Sequence, residues 1–213
     1  MTTLDPFLDR LPLIAILRGL TPPEAVGIGR ALTDAGFAIV EVPLNSPGAL
    51  DSIRRLADDL GPQVLVGAGT VTRVEDVEAV AQAGGRLIVM PHADPAVIGA
   101  AKAAGLACTP GIATPTEGFA ALAAGADALK LFPAELVAPA VLRAMAAVFP
   151  RRTRFLPVGG ITPGTMEGYA AAGAAGFGLG SALYKPGRSA TEVGAAARDF
   201  AAAWRAIMDW RAA

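Results

Sequence analysis

The chain has 213 residues, 53% of them hydrophobic and 17% charged, with 18 basic against 19 acidic side chains. So apolar a composition supplies a sizeable core and excludes a disordered tail. A formal charge of -1 gives no long-range pull on polyanions, and the Arg-Arg pairs at 54–55 and 151–152 are too small for a nucleic-acid surface, so an anionic ligand must be held by local donors.

Residues 1–10 read as a short extra helix across the floor of the fold. From there, short apolar runs alternate with Ala-rich stretches of helical length, the pattern of repeated βα units around a parallel sheet. Strands are expected at 13–17, 38–44, 64–68, 87–91, 106–109, 128–132, 154–158 and 176–179. Helices are expected near 22–35, 47–60, 73–83, 94–104, 115–124, 138–148, 163–172 and 191–212. Thr21, Ser46, Asp94, Thr114 and Thr162 each precede a proline suited to a first helical turn and read as caps. Ala-Gly pairs at 35–36, 83–84, 104–105, 124–125 and 172–173 mark helix ends, where glycine suits a left-handed residue. Eight such units fit the compact end of the (β/α)8 barrel range, and no linker breaks the rhythm, so one domain spans residues 1–213. An open doubly wound sheet needs about the same units, and periodicity alone leaves it standing.

Reactive groups of a barrel gather at the C-terminal ends of its strands. Arg18, Glu41 and Lys130 are the charged residues that interrupt or end apolar runs. Because side chains alternate along a strand, Leu129 and Leu131 take the helix side and send Lys130 inward. Val40 and Val42 do the same for Glu41, and the parity of residues 14–18 carries Arg18 to the inner rim. Only three of the 18 basic residues are lysines, at 102, 130 and 185. A lysine inside a strand of so arginine-rich a chain points to a task that guanidinium cannot perform, which is to lose a proton and attack as an amine. A lysine merely paired with Glu41 is the bland alternative. Lys102 and Lys185 read as exposed helix and loop residues.

Glycine and hydroxyl residues form a second constellation. Val158-Gly159-Gly160-Ile161-Thr162 ends the seventh strand and Gly178-Leu179-Gly180-Ser181 ends the eighth, where barrels build phosphate sites from backbone N–H groups. Tight turns alone would also account for these glycines. At the end of the third strand, Gly67-Ala68-Gly69-Thr70 gives Thr70 an inward parity as a hydroxyl donor.

Six segments in order, Ile14-Ala15-Ile16-Leu17-Arg18-Gly19, Glu41-Val42-Pro43-Leu44-Asn45-Ser46-Pro47, Gly67-Ala68-Gly69-Thr70, Lys130-Leu131-Phe132-Pro133-Ala134-Glu135, Val158-Gly159-Gly160 and Gly178-Leu179-Gly180-Ser181, run from about residue 11 to 184. Together they resemble the class I 2-keto-3-deoxy-6-phosphogluconate/6-phosphogalactonate aldolases. The resemblance implies a homotrimer of barrels that splits a six-carbon 2-keto-3-deoxy-6-phospho sugar acid into pyruvate and glyceraldehyde 3-phosphate, without a cofactor. It implies Lys130 as the Schiff-base lysine and Glu41 as the acid/base carboxylate, Arg18 and Thr70 on the substrate, and Gly160, Gly180 and Ser181 at the phosphate end. Phosphogluconate-type members tend to read Thr-Leu-Arg-Thr after the glutamate; Pro43-Leu44-Asn45-Ser46 looks like the phosphogalactonate branch. His92, after Met90-Pro91, departs from the Asn common in relatives and reads as a rim residue with no proton role.

Two rivals use the same residues. One is a sugar-phosphate isomerase or epimerase with Glu41 as base and Lys130 as charge stabiliser; the other is a non-catalytic binder of phosphorylated ligands. A single cysteine, Cys108, excludes an internal disulfide and reads as a small core residue, while a single histidine leaves a zinc site little support. Mean hydropathy is +0.48, yet the weakly charged stretches 103–116 and 168–184 are broken by Gly, Pro and Thr. With no membrane span and no signal-like N-terminus, the expectation is a soluble cytoplasmic protein.

Overall fold

The computed structural model describes residues 3–212. Its strands, all paired in parallel, are β1 (Leu13–Ile16), β2 (Ile39–Pro43), β3 (Leu65–Gly69), β4 (Leu87–Val89), β5 (Ala107–Thr109), β6 (Gly111–Ile112), β7 (Leu129–Leu131), β8 (Phe155–Pro157) and β9 (Phe177–Leu179). The helices are α1 (Asp5–Leu8), α2 (Pro22–Asp34), α3 (Ala49–Leu60), α4 (Val74–Gln82), α5 (Pro95–Ala103), α6 (Pro115–Ala123), α7 (Pro139–Ala146), α8 (Met166–Ala171) and α9 (Ala190–Ala212). Each expected unit is present, with ends trimmed by a residue or a few.

The expected fifth strand is present as β5, and beyond its end Pro110, which carries no N–H for a ladder, separates it from β6, a short strand not expected from the sequence. The strands therefore form a six-stranded sheet in the order β5-β4-β3-β2-β1-β9 and a three-stranded sheet β6-β7-β8. At the proline seam, Asp127 N donates to Cys108 O and Lys130 N to Pro110 O, at 3.0 and 2.9 Å. The opposite seam is crossed by a lone Val158–Gly178 bridge and by Ala175 N donating to Phe155 O at 2.9 Å. The result is a mixed α/β fold in which a parallel sheet curls with helices outside it.

Local chemistry sets the helix starts. Thr114 Oγ1 accepts the N–H of Glu117 while the Glu117 carboxylate accepts the N–H of Thr114 at 2.8 Å, a capping box, and Asp94 accepts from Ala96 N. The Ala-Gly helix ends place glycine at positive φ, 97° at Gly36 and 101° at Gly125. Two expected caps do other work. Helix α3 starts after a left-handed Gly48, and Ser46 Oγ instead accepts the N–H of Gly19 at 2.9 Å, tying the loop after β1 to that after β2. Helix α8 starts after Thr165, whose hydroxyl accepts from Thr162 N.

Strand alternation splits the core into two layers. Leu13, Ala15, Val40, Val42, Leu129 and Leu131 pack outward on the helices. Ile14, Ile39, Leu65, Leu87, Ala107, Ala128 and Leu156 face inward, and fully buried Leu4 and Leu8 of the α1 segment seal them from below. The inner face carries its charge above this apolar floor, at the C-terminal strand ends.

Candidate active site

Glu41 lies in β2 opposite Ile16 and Gly67, and Lys130 in β7 opposite Gly111 and Leu156. Both point inward, as the outward packing of their strand neighbours requires, and they are 2% and 7% exposed. Glycines make the room. A Cβ at Gly69 would collide with both carboxylate oxygens of Glu41, so that side chain fits only because β3 carries no side chain there.

Burial pushes the Glu41 carboxyl up to about 7, against the opposing pull of Lys130 and then Arg18. Its Oε2 is buried without a hydrogen-bond partner among the described residues. Burial likewise pushes the Lys130 ammonium below its usual range, with Glu41 opposing and Arg18 reinforcing the shift. Among the described residues Lys130 Nζ makes no hydrogen bond or ion pair; it stands 4.4 Å from the centre of the Phe132 ring. The Phe132–Pro133 peptide that succeeds it is cis.

Arg18 is exposed at the rim, where Nη1 donates to Asn45 Oδ1 at 2.7 Å and Nη2 to Thr70 Oγ1 at 3.3 Å. Thr70 arrives there by a different route from the one its parity implied. Ala68, two residues earlier, packs outward, and Thr70 turns to the rim through a left-handed backbone at φ 56°. Gly160, Gly180 and Ser181 line a cavity of about 490 Å³ together with Arg18, Lys130 and Phe132. The expected residues thus gather at one mouth, with Glu41 and Thr70 beside the cavity wall.

Three polar residues of that wall carry no signal in the sequence pattern. Lys185, expected as a plain loop residue, lines the cavity, as do Arg188 and Glu135. Arg188 Nη1 donates to Ala182 O and Leu183 O, holding the turn after β9. No periodicity marks a loop cation, although Glu135 closes one of the six segments that carry the resemblance. Lys102 is not simply exposed: it pairs with Asp127 at 2.7 Å and donates to Leu106 O. His92 is not among the residues that line the cavity. Cys108 is buried beside Met90, and burial pushes its thiol up to about 12. Among the described residues no group of three or more His, Cys, Asp or Glu side chains is set to hold a metal ion, and no helix is long and apolar enough to cross a membrane.

Known proteins share this architecture. The family model described as KDPG and KHG aldolase matches residues 4–193. A protein of Rhizobium meliloti (strain 1021) named probable 2-dehydro-3-deoxy-6-phosphogalactonate aldolase is 48% identical over 85% of this chain and 86% of its own. Its counterpart in Escherichia coli (strain K12), 2-dehydro-3-deoxy-6-phosphogalactonate aldolase, is 46% identical over 92% of this chain and 96% of its own. A solved structure described as native KDPGal superposes with a TM-score of 0.92 at 46% identity, covering 94% of this chain and 97% of that one. The chain belongs to the KDPG and KHG aldolase family of carbon-carbon lyases.

Proposed function

We propose that this protein is a class I aldolase that cleaves 2-dehydro-3-deoxy-6-phosphogalactonate into pyruvate and D-glyceraldehyde 3-phosphate. One observation carries the reading: a buried lysine, free of hydrogen bonds among the described residues and depressed in pKa, shares its interior with a buried carboxylate at the mouth of a cavity lined by two glycine turns. The curled sheet is taken as a single-domain (β/α)8 barrel whose two seams are crossed by backbone hydrogen bonds.

The chemistry follows from these groups. Deprotonated Lys130 attacks the C2 ketone, and loss of water leaves an iminium. Glu41 takes the proton of the C4 hydroxyl; the C3–C4 electron pair moves into the iminium, releasing the phosphorylated aldehyde and leaving the enamine of pyruvate. Glu41 then returns its proton to C3, and water hydrolyses the iminium to free Lys130. With its carboxyl near 7, Glu41 is suited to both directions of transfer. Arg18, steadied by Asn45 and Thr70, offers a two-pronged partner for the substrate carboxylate. Gly160, Gly180 and Ser181 receive the phosphate, and no cofactor or metal is called for.

Preference for the galacto configuration at C4 rests on the names of the relatives at 46% and 48% identity and on Asn45, which puts a short amide against Arg18. Exposed apolar residues such as Leu136 and Val148 offer surface that a homotrimer would cover. Phosphorylated sugar acids do not cross membranes unaided, so the reading assigns the work to the cytoplasm.

Treatment with pyruvate and sodium borohydride, followed by intact-mass and peptide mapping, tests the reading. A reduced adduct confined to Lys130 is expected, with faster cleavage of the galacto than the gluco epimer. No adduct in folded protein would replace it with the isomerase or epimerase alternative. Faster cleavage of the gluco epimer would overturn the substrate alone.

A further inference from the structure

The cavity wall holds one acid that the mechanism leaves without a task. Arg18, Lys130, Lys185 and Arg188 are its cations, and Glu135 is its acid. The Glu135 carboxylate rests on the turn assigned to the phosphate. A Cβ built at Gly159 would overlap Glu135 Oε2, and one at Gly160 would come to 3.2 Å from Oε1. The backbone beneath is anchored, since Ala134 N donates to Val158 O at 2.9 Å and Ala134 O accepts the Tyr169 hydroxyl at 2.8 Å. Among the described residues Glu135 has no ion-pair or hydrogen-bond partner that would cancel its charge, and Arg188 is engaged with two carbonyls. Tyr169 senses it: the phenol is raised mainly by burial and further by Glu135.

We infer that Glu135 is a specificity residue that weakens the site's hold on phosphate dianions, its carboxylate set against the Gly159–Gly160 turn where the phosphoryl oxygens of the substrate would lie. This rests on the phosphate end of the proposed function and adds to it a repulsive element. Phosphate grips substrate and aldehyde product alike, so binding energy placed there slows release without aiding bond cleavage. A fixed carboxylate beside the turn limits that grip, while the cations across the cavity still draw the ligand in. Specificity of this kind comes from an unfavourable contact as much as from favourable ones.

The test compares the full chain with its Glu135→Gln variant, using inorganic phosphate as probe in calorimetric titration at a pH where it is largely dianionic and at a lower pH where it is the monoanion. The variant is expected to bind the dianion about tenfold more tightly than the parent and the monoanion about threefold, because the repulsion scales with ligand charge. Borohydride trapping of pyruvate at Lys130 reports that the interior of the variant is intact. Equal phosphate affinity in the two proteins overturns the role of Glu135 and leaves the phosphate site standing. The same gain for both anions also overturns it, since a loosened turn would not discriminate by charge. Phosphate that neither binds nor competes with the sugar acid in the parent removes the phosphate end itself, and this inference with it. Should the variant fail to trap pyruvate, Glu135→Ala read by the same dianion-to-monoanion ratio decides.

Discussion

Gly69 and Glu41 occupy one space: the carboxylate of the second strand lies where a side chain of the third would otherwise be. Gly69→Ala should therefore displace the Glu41 carboxylate while leaving the strands in place. Its kcat is expected to fall about 10²-fold, within the range for a displaced general base. Circular dichroism should remain that of the parent, and pyruvate should still be trapped at Lys130. Unchanged kcat would mean that Glu41 does not act from its observed position.

Replacing the carboxylate itself is the companion experiment. Glu41→Gln should still form the iminium with pyruvate but cleave the sugar acid about 10²–10⁴-fold more slowly. Lys130→Met should abolish both turnover and trapping. Stopped-flow assays with borohydride quenching separate the two effects.

Acidity gives a third prediction. Glu41 must be ionised to take a proton, so kcat should rise with pH through about 7, and Glu41→Gln should lose that limb. Stability runs the other way. The folded carboxyl titrates near 7 and the unfolded one near 4.5, so between these values the unfolded chain gives up a proton that the folded chain keeps. Folding free energy should weaken as pH rises across this window, by about 1–3 kcal/mol. Denaturant titrations at both ends of the window should show the loss in the parent and its absence in Glu41→Gln.

Underneath the site, Leu8 fills the lower end of the inner core. Leu8→Ala should cost about 2–5 kcal/mol, the range for a large side chain removed from a packed interior. Thermal melting measures it. A shift within error would show that the short first helix does not brace the strands.

Alternation along the strands made much of this architecture legible in the sequence. Leu129 and Leu131 bracket Lys130, and Val40 and Val42 bracket Glu41, so the inward direction of both charges followed from the pleat. Outside the strands that logic had no hold. Thr70 reaches the rim through a left-handed backbone that parity does not encode, and Ser46 spends its hydroxyl on Gly19 rather than on a helix start. Lys185 and Arg188 sit in a loop, where position depends on long-range packing and leaves no periodic trace. Pro110 went unread after the expected fifth strand, and how the pieces on either side of it divide between sheets is a property of the curl of the whole sheet.

Leu4 and Leu8, packed beneath the inner face, fill its lower end with apolar side chains and leave the charged groups at the C-terminal strand ends. A covalent hold on one fragment gives the traffic through the site an order. In the proposed chemistry cleavage frees the aldehyde while the pyruvate fragment stays bonded to Lys130 until water hydrolyses the iminium, so pyruvate is the last to leave. Run in the direction of synthesis, the same constraint makes pyruvate the first to board, and the aldehyde enters a chamber already charged with its nucleophile.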